Sequence, residues 1–81
     1  MKLYPTAHFV REYNKLPQPL QKKTDKAMRF LLQNLRHSSL KAKKYDEKRG
    51  IWQARVTRNY RFYFVIKGNA YILLEVKLHP K

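Results

Sequence analysis

The sequence predicts an α+β fold with the element order β-α-α-β-β-β. Two observations indicate this order. Apolar residues recur at helical spacing in the N-terminal half, and after Ser38 and Ser39 the period changes to two, with β-branched and aromatic residues concentrated in three runs. We expect residues 1–81 to form a single domain, with both helices packed on one face of a small, mainly antiparallel sheet, since a chain of this length has room for one core.

The N-terminal half contains a short strand and two predicted helices. Residues 2–4 form the strand, and Thr6 is a suitable N-cap for a helix that continues to about Leu16. After two prolines, residues 19–37 form the second helix. Its polar face, which is typical of a solvated surface, carries Lys22, Lys23, Lys26 and Arg29.

The C-terminal half contains three predicted strands, over residues 51–57, 60–66 and 70–78. The charge-rich segment before them, residues 41–50, is predicted to be a loop. Alternation along the strands predicts the core-facing residues Trp52, Ala54, Val56, Phe62, Phe64, Ile66, Ile72, Leu74, Val76 and Leu78. The opposite face then displays Gln53, Arg55, Arg61, Tyr63, Tyr71, Leu73, Glu75, Lys77 and His79.

The predicted register of the strands places like charges together. Directly opposite residues of an antiparallel pair point to the same side of the sheet, so the first hairpin places Arg55 opposite Arg61. The last hairpin is predicted to pair Ile66 with Ala70 around a three-residue loop. Glu75 would then lie opposite Arg61.

The charge of the chain indicates a polyanionic partner. The chain contains nineteen Lys and Arg and only five Asp and Glu, which gives a net charge of +14. We expect the free protein to be monomeric, because molecules with such a positive charge repel one another. The chain has no cysteine, and its three histidines lack metal-ligand spacing, so neither a metal nor another cofactor is predicted. The sequence also lacks a signal peptide and a membrane-spanning run, which predicts a cytoplasmic protein without membrane association.

The face that carries both arginines is the candidate site. Opposed guanidiniums cost stability unless an anion lies between them, and two such groups suit bidentate recognition of a phosphate. A surface network of both arginines with Glu75 is the alternative. His79 ends the last strand on the same face, and Lys43 or Lys44 lies next to the first strand of the sheet. The absence of a glycine-rich phosphate loop and of a nucleophile elbow argues against nucleotide hydrolases and most acyl-transfer enzymes.

The element order and three short stretches resemble the RelE/ParE superfamily of toxins from bacterial and archaeal toxin-antitoxin systems. The stretches are the leucine and lysines of LKAKKYDEKRG, the ARV and NYRF parts of the central hairpin, and the histidine after the last strand. The resemblance covers nearly the whole chain. It implies a RelE-like fold and, in the RelE-like branch, an endoribonuclease that cleaves mRNA in the ribosomal A site and is neutralised by a cognate antitoxin.

The resemblance also implies roles for individual residues. Carried over by position, the catalytic residues are Lys43 or Lys44, Arg55, Arg61 and His79. They would promote attack by the ribose 2′-hydroxyl on the adjacent phosphate without a metal ion. We expect further contacts with RNA from Lys41, Lys48, Arg58, Tyr63 and Lys77.

One departure from the RelE pattern leaves alternatives open. Many RelE-like enzymes continue with a segment that supplies an aromatic residue, whereas this sequence stops at Lys81. Tyr63 and Tyr71 are candidates for that role. A ParE-like inhibitor of DNA gyrase without ribonuclease activity is one alternative, and a non-catalytic basic RNA-binding protein is another.

Overall fold

The computed structural model describes residues 1–79 and confirms the α+β class, with one strand more than predicted. Its elements are β1 (Lys2–Pro5), α1 (Ala7–Asn14), α2 (Gln18–Gln33), β2 (Lys43–Asp46), β3 (Ile51–Arg55), β4 (Tyr60–Lys67) and β5 (Ala70–Leu78). The five strands form one sheet in the order β1-β5-β4-β3-β2. β1 runs parallel to β5, and the other neighbouring strands are antiparallel.

The additional strand is β2, which lies within the segment predicted to be a loop. It pairs with β3 at the edge of the sheet. Its sequence, KKYD, contains no apolar alternation, and its first three residues are exposed. Charged residues, lysine above all, are usual on edge strands because they discourage pairing with other chains.

Both helices begin near the predicted residues, but α2 is shorter than predicted. Thr6 caps α1, as predicted, and its hydroxyl accepts the N–H of Phe9 at 3.1 Å. α2 ends at Gln33 because Asn34 is extended and its side chain accepts the N–H of Arg36, an alternative to the helical hydrogen bond. No helix in residues 1–79 is long and apolar enough to cross a membrane.

The core lies between the two helices and one side of the central strands. The helices contribute Phe9, Ala27 and Leu31, which pack on aromatic and aliphatic side chains of the sheet. Phe62 and Phe64 of β4 are fully buried. The remaining buried members of this cluster are Leu40, Ala54, Tyr71, Leu73 and Val76.

The predicted register of the last hairpin is wrong by one residue at its turn. Lys67 pairs with Ala70, which leaves a two-residue loop instead of three residues, with a positive φ of 60° at its glycine. Because the loop is one residue shorter, each side chain in the first half of β5 lies on the side of the sheet opposite to the predicted one. Tyr71 and Leu73, predicted for the opposite face, are therefore in the core, where Ile72 and Leu74 had been predicted.

A β-bulge changes the register again farther along β5. Tyr63 pairs with Glu75 and Phe64 with Leu73, so Leu74 is an extra residue on β5. Beyond the bulge, the alternation returns to the predicted sides. The partner of Arg61 is nevertheless different, because it lies opposite Lys77 instead of Glu75.

Thr6 connects the bulge to the start of α1. Its N–H donates to the carbonyl of Leu73 at 2.9 Å, and its hydroxyl donates to the carbonyl of Leu74 at 3.3 Å. The same hydroxyl accepts the N–H of Phe9. One side chain therefore joins the point where β1 leaves the sheet to the first turn of α1.

We predict that Thr6→Ala lowers the free energy of unfolding by about 1 kcal/mol, the usual cost of losing an N-cap hydroxyl. Urea denaturation followed by circular dichroism measures the change. Thr6→Ser is the matched control, because it keeps the hydroxyl and should retain most of the stability. Equal losses in the two variants would contradict this role for the hydroxyl.

Candidate functional site

The two arginines of the first hairpin lie directly opposite each other, as predicted. Arg61 is fixed by the main chain of the turn that joins β3 and β4. Its Nη1 donates to the carbonyl oxygens of Thr57 at 2.6 Å and of Arg58 and Tyr60, both at 3.1 Å. These contacts hold one edge of the guanidinium, so the group is already oriented before an anion binds.

Neither arginine has a carboxylate partner within residues 1–79, where the ion pairs involve other side chains. Burial, and to a smaller extent the charge of Arg55, lowers the pKa of Arg61. The Nε of Arg55 is shielded from solvent and has no hydrogen-bond partner among the described residues. A bound oxyanion would supply the missing acceptor and offset the repulsion between the guanidiniums. The network of both arginines with Glu75 is absent from this part of the chain.

Lys77 adds a third cation to this face. It lies opposite Arg61, and its Nζ is 3.1 Å from Oε2 of Glu75 and 5.3 Å from the ring centroid of Tyr63. The hydrogen bond to Glu75 raises the pKa of Lys77 and outweighs the opposing effect of burial, so its ammonium form is favoured. The ring of Tyr45 meets that of Tyr63 edge-on, with a centroid separation of 4.9 Å.

The two candidate lysines of β2 lie on opposite sides of the sheet. Lys43 pairs with Gln53, which in turn pairs with Tyr63, so Lys43 belongs to the same side as the arginines. Lys44 pairs with Trp52, and its Nζ lies 5.4 Å from the centroid of that indole ring. Only Lys43 is therefore on the basic face.

Two further buried polar atoms have no hydrogen-bond partner among the described residues. The Oε1 of Gln53 is shielded from solvent beneath this face, and so is the Nδ1 of His79. The main-chain N–H of His79 donates to the carbonyl of Asn59 at 2.6 Å, which places this histidine beside the turn between β3 and β4. Both atoms could bond to a polar ligand. Sequence analysis did not identify Gln53 as a ligand contact, because glutamine in a strand gives no specific signal.

The other basic residues predicted to contact RNA lie around this face. Lys41 is exposed and has a positive φ of 46°, and Arg58 is exposed in the turn between β3 and β4. Lys48 is exposed in the turn between β2 and β3, at the opposite end of β3 from Arg55. The length of β3, about 13 Å at roughly 3.3 Å per residue, separates Lys48 from the arginines.

A basic cleft of about 380 Å³ opens between α2 and the turn after β3. Its polar lining consists of Lys23, Lys26, Ser39, Arg55, Thr57 and Arg58. Arg55 lines this cleft and also lies opposite Arg61, so the cleft connects the arginine pair to the cations of α2. Sequence analysis assigned Lys23 and Lys26 to a solvated helix face, because only tertiary packing brings them toward β3.

The two helices and the five-stranded sheet match the fold of several solved toxin structures. Solved structures with this fold include a YoeB/ParE toxin from Agrobacterium tumefaciens, with a TM-score of 0.82, 19% identity and coverage of 99% of this chain and 100% of that one. The RelB-RelE antitoxin-toxin complex from Methanococcus jannaschii has a TM-score of 0.76 and 18% identity, and the match covers 93% of this chain and 88% of that one. The YoeB dimer from Staphylococcus aureus has a TM-score of 0.81 and 14% identity, and the match covers 99% of this chain and 98% of that one.

These similarities confirm, at the level of the fold, the resemblance to the RelE/ParE superfamily. No protein-family model and no curated protein matches the sequence. TM-scores of 0.76 to 0.82 establish a shared fold, whereas identities of 14% to 19% carry no further conclusion, so the chemistry of this chain must be argued from its own residues.

We predict that Tyr63 ionises above pH 10.0, because burial raises the pKa of its phenol. The neutral phenol then contributes stability that is complete below pH 10.0 and is lost as the pH rises through the raised pKa of Tyr63. Ultraviolet difference titration of wild type against Tyr63→Phe measures the ionisation. A difference signal with its midpoint at or below 10.0 would contradict the prediction.

Proposed function

We propose that this protein is the toxin of a type II toxin-antitoxin system and cleaves mRNA in the ribosomal A site. The observation that carries the proposal is the opposed pair Arg55 and Arg61, which has no carboxylate partner in residues 1–79. Two opposed guanidiniums, one of them held by main-chain carbonyls, suit a phosphodiester, whose negative charge increases in the transition state of cleavage. The RelE-type fold supports the same function.

The proposed reaction uses four side chains and no metal ion. Lys43 accepts the proton of a ribose 2′-hydroxyl, and the 2′-oxygen attacks the adjacent phosphorus. Arg55 and Arg61 stabilise the additional negative charge on the pentacoordinate phosphorus. His79 donates a proton to the leaving 5′-oxygen as the P–O bond breaks. The products are a 2′,3′-cyclic phosphate and a 5′-hydroxyl end.

The surrounding residues would hold the RNA. Lys41, Arg58 and Lys77 add positive charge near the cleavage site, and Lys48 adds it at the far end of β3, where a longer RNA passes. Tyr45 and Tyr63 are the aromatic residues of this face, and Tyr45 is 59% exposed. We propose that Tyr45 stacks on a base, a role that sequence analysis had considered for Tyr63 and Tyr71. The rings of Tyr63 and Tyr71 are excluded from this role because both are buried, with exposures of 2% and 5%.

The proposed partners follow from charge and from the solved relatives. The RelE of Methanococcus jannaschii and the YoeB of Staphylococcus aureus were each solved in complex with an antitoxin. We propose a cognate antitoxin for this chain as well, with acidic or apolar segments that cover the basic face. The target is the translating ribosome with its mRNA, which places the activity in the cytoplasm, and the net charge of +14 favours a monomeric free toxin.

We predict that Arg61→Ala slows mRNA cleavage by about 10² to 10³, the scale of losing one preorganised donor to a developing charge. The assay is reconstituted translation of a defined mRNA, with primer extension to map cleavage in the A-site codon. Arg29→Ala is the matched control, because it removes the same charge from an exposed position on α2. Arg61→Lys should remain impaired, since an ammonium group lacks the planar fork.

Intact mRNA in the presence of translating ribosomes and wild-type protein would contradict the endonuclease proposal. A supercoiling assay with DNA gyrase would then test the ParE-like alternative. Cleavage without ribosomes would contradict the requirement for the A site and leave a general ribonuclease.

Lys43 and Lys44 provide a matched pair, because the two residues have the same charge and lie on opposite sides of the sheet. We predict that Lys43→Ala slows cleavage by about 10² to 10⁴, the usual contribution of a positioned acid or base. Lys44→Ala should change the rate by less than about tenfold, since its lost surface charge only weakens RNA binding. Single-turnover cleavage on stalled ribosomes measures both rates. The reverse order of the two effects would refute the assignment.

A further inference from the structure

Three side chains that could bind a metal ion meet where α1 runs alongside β5. His8 and Glu12 lie one helical turn apart on α1, and Glu75 comes from β5. The Nε2 of His8 is 3.4 Å from Oε1 of Glu12 and 3.6 Å from Oε1 of Glu75. One ligand atom from each residue lies within 4.8 Å of the others.

We propose that His8, Glu12 and Glu75 form a binding site for a divalent transition-metal ion, and that zinc fits it best. Zinc binds imidazole nitrogen and carboxylate oxygen at about 2.0 to 2.2 Å, so neighbouring ligand atoms of a tetrahedral site are about 3.3 to 3.6 Å apart. The two separations measured from His8, 3.4 and 3.6 Å, lie within that range. One imidazole with two carboxylates favours zinc over magnesium or calcium, which prefer oxygen ligands alone.

Contacts outside the cluster orient both carboxylates toward His8. Oε1 of Glu12 accepts the main-chain N–H of Val76 at 3.1 Å, at the stretch of β5 that follows the end of its pairing with β1. Oε2 of Glu75 is held by Lys77 at 3.1 Å, and its Oε1 is turned toward His8. Hydrogen bonds of this kind fix metal ligands in place and contribute to affinity. A carboxylate oxygen has two lone pairs, so the contact with Val76 leaves one for a metal ion.

The local charge of the two carboxylates favours a cation at this position, although the chain as a whole is strongly positive. Two of the five acidic residues in a chain of net charge +14 meet here. His8 is 54% exposed, so a metal ion could enter from solvent and retain water as its fourth ligand. Sequence analysis did not find this site, because it considered only the spacing of the three histidines and Glu75 is distant in the sequence.

The competing explanation is a simple ion-pair cluster, in which a protonated His8 lies between the two carboxylates. That cluster needs no metal ion and would not distinguish zinc from other divalent ions. The metal-site proposal does not depend on RNA cleavage, because none of the three residues takes part in the proposed reaction.

Calorimetric titration of the full chain with zinc chloride tests the proposal. We expect one zinc ion per chain, with affinity reduced at least about tenfold in His8→Gln and in Glu75→Gln. Glu47→Gln, which neutralises an exposed carboxylate in the turn between β2 and β3, is the matched control and should retain wild-type affinity. Titration with cobalt(II) should give the visible absorption of a tetrahedral site in wild type and lose it in His8→Gln.

The absence of stoichiometric zinc binding in the wild type would overturn the proposal and leave the ion-pair cluster. Unchanged affinity in His8→Gln would also overturn it, because the zinc would then be bound elsewhere on the chain. Circular dichroism of each variant separates lost binding from lost folding, and the exposure of His8 makes its substitution compatible with the fold.

Discussion

The register of β4 against β5 is the constraint on which the basic face depends. The bulge at Leu74 lets both halves of β5 use the same core, since Leu73 before the bulge and Val76 after it are both buried. The same shift places Lys77 opposite Arg61. Without it, continued alternation would turn the charged end of β5 toward the helices, where burying an ammonium group is costly.

A rigid apolar layer supports the cations on the opposite side of the sheet. Phe62 and Phe64 fill the core beneath β4, while Arg61 and Tyr63 occupy the alternate positions of the same strand. The face is therefore carried by a strand whose other side is fully buried at Phe62 and Phe64. This arrangement allows opposed positive charges to persist before any ligand binds, because their repulsion is small compared with the burial of aromatic side chains.

Strand alternation was sufficient to predict the opposition of Arg55 and Arg61, since the first hairpin has no irregularity. The last hairpin was harder to predict. Its loop is one residue shorter than predicted and its bulge adds one residue, so the two errors cancel in parity and Lys77 still lies on the predicted side. For Lys77, only the predicted partner was wrong. Neither the bulge nor the edge strand β2 has a sequence signal, because hydrogen bonds and packing from distant residues determine both.

β2 has a consequence for regulation of the proposed activity. It is four residues long, has its own irregularity after Lys44, and is held by a single neighbouring strand. Because successive side chains of a strand alternate between sides, a slip of β2 by one position would exchange Lys43 for Lys44 on the basic face. A partner chain that pairs with this open edge and shifts β2 would displace the proposed proton acceptor while leaving both arginines in place.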